Sequence, residues 1–275
     1  MTDRVRPAAV AGSFYPAEPG HLRSTVRRLL EAAERSASAA DERVPKAIIG
    51  PHAGYRYSGP VAATAYASVA GARGIVRRVI IAGPAHFAPV GAVAVSAASA
   101  FATPLGRVTV DAELRRRVLD VPGVVVDDVA HRSEHSIEVH LPFVTTVLGD
   151  VPVLPLAVGS TGASALAAVL EALWGGAETL VVISTDLSHY HEASVARLLD
   201  GRTAAMICRL LAPPPEAACG AAAVAGMLLA ARRRGLEVRA LDVRNSADTV
   251  GDPARVVGYG AFAAFDPAAG DGAER

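Results

Sequence analysis

Four short apolar runs punctuate the chain: KAIIG at 46–50, VRRVIIAG at 76–83, VPVLPLAVG at 151–159 and TLVVIST at 179–185. Val181, Val182 and Ile183 follow one another with no polar alternation, so a strand made from them needs cover on both faces. Most of these runs lead into Ala-rich stretches of helical length. This alternation predicts an α/β fold with a central, largely parallel or mixed β-sheet flanked by helices on both faces. Upstream, PAEPGHLRSTVRRLLEAAERSA predicts a helix with Leu22, Val26, Leu29 and Leu30 on one side, and SASAADERVP at 36–45 predicts a loop. Downstream, LEVRALDV at 236–243 and RVVGYGAFAAF at 255–265 predict antiparallel strands at an edge. No repeat and no Pro/Gly/Ser-rich linker divides the chain, which reads as a single domain over 1–275 with a fraying tail from about 267.

Composition narrows the partners. Lys plus Arg total 27 and Asp plus Glu total 27, so there is no net field to draw nucleic acid or an anionic membrane surface. Neither is expected as a partner. No segment offers eighteen uninterrupted apolar residues, and no apolar run of export type precedes the first prolines. Cys208 and Cys219 are the only cysteines, too few for a disulfide framework, and this usage points to a reducing compartment, the cytoplasm.

The chemistry-bearing residues gather where strands end. KAIIG runs into GPHAGYRYSGP and VRRVIIAG runs into GPAHF, so twice an apolar run closes on Gly-Pro and delivers a histidine, His52 and His86. Glycine permits the sharp departure and proline cannot continue a ladder, which places each imidazole at the rim of the sheet, where open α/β sheets bind ligands. A third run, TLVVIST, ends in Asp186, Ser188 and His189. A shared site for His52, His86 and the Asp186/His189 pair follows, because imidazole is both the commonest transition-metal ligand and the usual proton carrier near neutral pH. Cys208 lies inside the apolar helical run RTAAMICRLL and reads as core; Cys219, ahead of Gly220 and a helix-like AAAVAGMLLAARRR, reads equally as ligand or bystander.

The densest cluster of ligand-type residues is a poorer candidate. In HRSEHSIEVHLPF at 131–143, His135 and His140 lie about 140° apart on a helix and on opposite sides of a strand, so no regular element aims His131, His135 and His140 at one ion. The pattern also lacks the H-E-x-x-H spacing. A helix is expected from Ser136 onward, capped by Ser133 or Ser136.

The ordered blocks RPAAVAGSFYP, PHAGYRYSGPVAATAYA, GPAHF, EHSIEVHLPFV, STDLSHY, ACGAAAV and NSADTVGDPARVVGYGAFAAF resemble the MEMO family, the Memo-like proteins called protein B of the AmmeMemoRadiSam system in bacteria and archaea. The resemblance spans nearly the whole chain and implies a fold similar to that of class III extradiol dioxygenases of the LigB type, with a non-haem metal site at one edge of the sheet. It carries the metal ligands onto His52, His86 and Cys219, the acid/base role onto His189, and a further site position onto Asp186. Glu134 and His135 become groups that orient ligands and substrate, His140 becomes buried structure, and Tyr55, Arg56 and Tyr57 become contacts for a substrate or peptide.

A thiolate in place of the usual carboxylate shifts preference toward copper or zinc while still allowing Fe(II). The implied cofactor is one transition-metal ion, Fe(II) or copper, with zinc as an alternative. The leading expectation is a metal-dependent, oxidoreductase-like activity on an unknown small molecule, in which His189, supported by Asp186, moves a proton. The family also implies two others: a peptide- or protein-binding module using the same cleft, and a partner of AMMECR-like and radical SAM proteins in a modification system. A hydrolase built on Ser188 beside His189 is the weakest contender, since no G-x-S-x-G elbow accompanies the pair.

Overall fold

The structure, a computed structural model, describes residues 4–36 and 43–267. In chain order its elements are β1 (Val5–Arg6), α1 (Pro19–Ser36), β2 (Ala47–Gly50), α2 (Tyr55–Ala67), β3 (Arg78–Pro84), β4 (Val93–Val95), β5 (Ala100–Thr103), β6 (Gly106–Thr109), α3 (Ala112–Val118), β7 (Val124–Val126), α4 (Asp128–Arg132), α5 (Leu141–Leu148), β8 (Val153–Val158), α6 (Ala163–Leu173), β9 (Thr179–Ser184), β10 (His189–His191), α7 (Ala193–Cys208), α8 (Ala221–Arg233), β11 (Glu237–Asn245) and β12 (Val256–Phe265). Most of the loop expected at 36–45, and the tail beyond 267, lie outside the described residues.

The four apolar runs become β2, β9, β3 and β8, adjacent and mutually parallel at the centre of a mixed sheet. Their residues alternate between two cores, as a pleat requires. Ile48, Val79, Ile81, Val153 and Val182 meet α1, α2 and α5 on one face. Ile49, Ile80, Ala82, Leu154 and Ile183 meet α3, α6, α7 and α8 on the other. Burial on both faces is why these strands carry no polar alternation. The sheet runs β10-β12-β2-β9-β3-β8-β4-β7, with β11 on the other side of β12; a second sheet, β1-β5-β6, lies apart. Of the two late strands, β11 forms an edge, but β12 is interior, antiparallel to β11 along its length and to β2 through Phe262–Ala264. No described helix is long and apolar enough to cross a membrane.

The 131–143 stretch departs from expectation. Ser133 stands at the C-terminal end of α4, not at the start of a helix. The Ser136 amide donates to Glu134 Oε1 (2.8 Å) and its hydroxyl to the Pro84 carbonyl (2.8 Å), so Ser136 is tied to the end of β3 and caps nothing. One 3-10 turn, Glu138–His140, leads into α5, with Pro142 in its first turn, where a missing N–H is harmless.

Candidate metal centre

The central strands end level with one another, Gly50 beside Ser184, Ala82 beside Ile183 and Pro84 beside Val158. Two residues beyond Gly50 and two beyond Pro84 stand His52, buried, and His86, exposed, their ring centroids 5.2 Å apart and their planes at 71°. Cys219 arrives from the other direction, one residue ahead of Gly220 at the start of α8. A Cβ on Gly220 would fall 2.5 Å from the Ser184 carbonyl oxygen and 2.7 Å from Thr185 Cβ, so only glycine lets the helix start close over the strand end. Cys219 Sγ thereby lies 3.3 Å from His52 Nε2. One ligand atom from each of His52, His86 and Cys219 falls within 4.8 Å of the others. Two donors bound at ~2.0 and ~2.3 Å to one ion at a tetrahedral angle stand about 3.5 Å apart, so this cluster has the dimensions of a three-donor metal site.

Each donor is held from behind. The Glu134 carboxylate accepts from the His86 amide (2.6 Å) and bonds its Nδ1 (2.9 Å). Burial works against that carboxylate, yet the bonds from His86 and Ser136 hold its pKa at about 2. His52 donates its amide to Asp186 Oδ1 (2.8 Å), while its Nδ1 meets Ser184 Oγ (2.6 Å). Burial, with His86, His135, His140 and His189 around it, keeps the His52 ring well below the usual imidazole range, hence a neutral donor. The Asp186 amide donates to Cys219 Sγ (3.3 Å). Burial, together with the Asp186 charge, pushes the Cys219 thiol up to about 12, so ionising it at neutral pH requires a cation at the sulfur.

His135 stacks on His86 (4.8 Å, 15°) and meets the His52 ring edge-on (5.4 Å, 83°), with its Nδ1 3.6 Å from Glu134. His86, Glu134 and His135 also form a compact donor group. Glu134, however, already accepts from His86 and Ser136, so its geometry is that of a group orienting a ligand.

Other sequence-selected residues fall elsewhere. Asp186 does not support His189, because its carboxylate is engaged by the backbone of residues 52 and 53. Burial raises Asp186 to about 7. Burial lowers His189, and the Leu187 carbonyl and the Asp200 charge oppose that shift. Tyr55 is a core residue: its hydroxyl donates to the Val139 carbonyl (2.6 Å) and its ring packs on Phe143 and Tyr15. Arg56 lies over the Tyr57 ring and lines a groove of about 730 Å³ between α1 and residues 12–18. Ser188 is buried, its amide bonded to Asp200 Oδ1 and its carbonyl to the Gly258 amide. Cys208 packs against the second core.

Three contributors escaped the sequence reading. Ser184 is a completely buried serine at the end of an apolar strand, and that oddity was its only signal. Phe14 reaches the site from the N-terminal segment, its ring 4.7 Å from His135 and its carbonyl accepting from the Tyr55 amide. Glu138 anchors that segment, accepting from Arg6, the Ala9 and Val10 amides (2.8 and 3.0 Å) and the Tyr15 hydroxyl. Nothing local links residue 6 to residue 138.

A family model described as Memo-like protein matches residues 6–263. A MEMO1 family protein of Aquifex aeolicus is 33% identical over 269 residues, 93% of this chain and 97% of its own. Another, from Methanothermobacter thermautotrophicus, is 34% identical over 207 residues, 72% of this chain and 74% of its own. Among solved structures, an uncharacterized protein of Escherichia coli K12 superposes with a TM-score of 0.52 at 13% identity, covering 79% of this chain and 99% of that one; this likeness concerns the fold alone.

Proposed function

We propose that this chain, which belongs to the Memo-like protein family, is a metal-dependent protein of oxidoreductase-like chemistry in which His52, His86 and Cys219 hold one iron or copper ion. The observation that carries the reading is the convergence of two imidazoles and one sulfur from three separate loops at the carboxyl ends of the central strands. Such an ion, when bound, supplies a Lewis-acidic, redox-capable centre with room for a further small ligand. Sulfur in the donor set favours copper or zinc over the hard cations, and zinc is the redox-inert alternative.

The chain's own groups then have distinct tasks. Glu134 holds His86 through two hydrogen bonds, one at its amide and one at its ring Nδ1, and Asp186 joins the His52 amide, at its carboxylate, to the Cys219 sulfur, at its own amide. His135 and Phe14 wall the pocket on the side of the N-terminal segment. His189, partly buried and with its pKa lowered by that burial, carries a proton to or from a substrate.

Elemental analysis of untagged protein tests the reading. A near-stoichiometric transition metal is expected, absent from His52→Ala and retained in Cys208→Ser. A wild-type protein free of metal that also refuses Fe(II), Cu(I) and Zn(II) would end it. The aromatic rim favours a second reading: Phe87 and Tyr190, 60% and 63% exposed, adjoin His86 and His189, and Arg255 lies 4.4 Å over the Tyr190 ring. Such a rim suits a peptide docked over the same cleft. Peptide binding that survives His189→Ala, without oxygen consumption under any metal, would favour it.

A further inference from the structure

Behind His52 runs a buried chain of side chains that the metal reading does not need. Tyr66 Oη lies 3.0 Å from His140 Nδ1, His140 Nε2 lies 3.0 Å from Ser184 Oγ, and Ser184 Oγ lies 2.6 Å from both His52 Nδ1 and the Ser136 carbonyl oxygen. Tyr66 and Ser184 are fully buried, and His140 and His52 are 1% and 2% exposed. Bulk solvent does not reach these contacts, and their hydrogens can be assigned by counting.

The Ser136 carbonyl can only accept, so Ser184 gives it the one hydroxyl hydrogen it has. Both lone pairs of Ser184 Oγ then face ring nitrogens, and each of those nitrogens must carry a hydrogen: Nδ1 of His52 and Nε2 of His140. His140, which burial holds neutral, is left with a bare Nδ1 that accepts from the Tyr66 hydroxyl. Each of the four hydrogens then has one acceptor. Reversing His52 would turn the Ser184 hydrogen toward Nδ1 and strip the wholly buried Ser136 carbonyl of its partner.

We infer that Ser184 is a positioning residue that locks His52 in the Nδ1–H tautomer, so that the lone pair of Nε2 is aimed at Cys219 Sγ before any ligand arrives. Gly83 makes room for this junction. A Cβ there would fall 2.8 Å from Ser136 Oγ and 3.0 Å from Ser184 Cβ, so the glycine of GPAHF serves Ser184 as well as the turn to His86. The two imidazoles are thus prepared differently, His86 by a carboxylate and His52 by a neutral hydroxyl with its hydrogen committed elsewhere. The tautomer itself is independent of metal, but its use in ligation rests on the proposed metal site.

The test is 15N NMR of the histidine rings in full-length, metal-free protein. His52 is expected to show a protonated Nδ1 and an unprotonated Nε2, and His140 the reverse. In Ser184→Ala the His52 pattern becomes a mixture of tautomers and affinity for Zn(II) falls ~10–100-fold, the usual loss when a ligand's orienting partner is removed. Tyr66→Phe shifts only the His140 signals. A wild-type His52 protonated at Nε2, a His52 pattern unchanged in Ser184→Ala, or one altered in Tyr66→Phe would each overturn the inference. If Ser184→Ala does not fold, the wild-type and Tyr66→Phe spectra still decide. A protein that binds no Zn(II) yet gives the predicted spectra would refute the metal reading and leave the tautomer lock standing.

Discussion

Under α6 and α8 the sheet presents Ile49, Ile80, Leu154, Val181 and Ile183 to Leu166, Leu170, Val224 and Met227, an aliphatic layer that needs only shape. Under α1, α2 and α5 the matching layer has Ile48, Val79 and Val182 packed among Tyr55, Tyr66 and Phe143, with His140 and Glu138 buried nearby, each polar atom wanting a partner. Both layers bury comparable strands. The difference lies in what they must support: the polar layer runs directly beneath His52 and the N-terminal segment, and its hydrogen bonds fix ring orientations that apolar packing cannot select. One face thus asks only for shape and the other also for orientation, and substitutions on the two faces should fail in different ways.

The largest effect is expected at the Arg6–Glu138 pair, whose side chains are 5% and 0% exposed. Glu138→Gln leaves the guanidinium buried without its counter-charge, a loss of ~3–5 kcal/mol in chemical denaturation. Its additional bonds to Ala9, Val10 and Tyr15 mean that residues 4–15 should also become protease-sensitive. A midpoint within error of wild type would remove Glu138 from the account.

Acid should distinguish the faces next. Burial holds His140 at about 3, against an ordinary value of 6.5, so between those values the unfolded chain binds a proton that the folded chain does not. Stability therefore rises with pH across the window and is lost as pH falls through it, by up to ~1.4 kcal/mol per pH unit for one such group. His140→Gln should flatten the profile between pH 6.5 and 4. An identical profile in the variant would show that His140 is not held neutral.

Gly83→Ala is expected to separate the two properties, lowering metal affinity about tenfold or more as Ser184 is displaced, with a loss of ~1–3 kcal/mol from overpacking. The smallest effect belongs to the aliphatic face. Ile183→Val should lose ~0.5–1.5 kcal/mol and leave metal content unchanged. A metal-depleted Ile183→Val would erase the distinction between the faces.

The parts of this architecture that were legible in the sequence are those written locally. Runs such as TLVVIST announce a doubly covered strand because both of its faces must be apolar, and Gly-Pro-His after two such runs announces a rim position. The short strands β4, β5, β6 and β7 were not legible: three or four residues hold too little pattern to show a period, even where, as in β5 and β6, the pairing partner is adjacent in sequence. In the 131–143 stretch the expected helix start and serine cap failed, while the expectation that its histidines do not share one ion held. Its five ligand-type residues serve different places, Glu134 on His86, His135 stacked on His86, Glu138 on Arg6, His131 on the Ala94 carbonyl and His140 on Ser184. Asp186 was placed at the site by its strand end, but its partner was misassigned, since adjacency to His189 in sequence says nothing about which backbone its carboxylate reaches.

The most direct test of the central claim is X-ray absorption at the metal edge of untagged protein. The account predicts one sulfur neighbour at ~2.3 Å and two imidazole nitrogens at ~2.0–2.1 Å for a zinc-loaded site, with the sulfur shell lost in Cys219→Ser and kept in Cys208→Ser. A wild-type spectrum with only nitrogen and oxygen neighbours would contradict it.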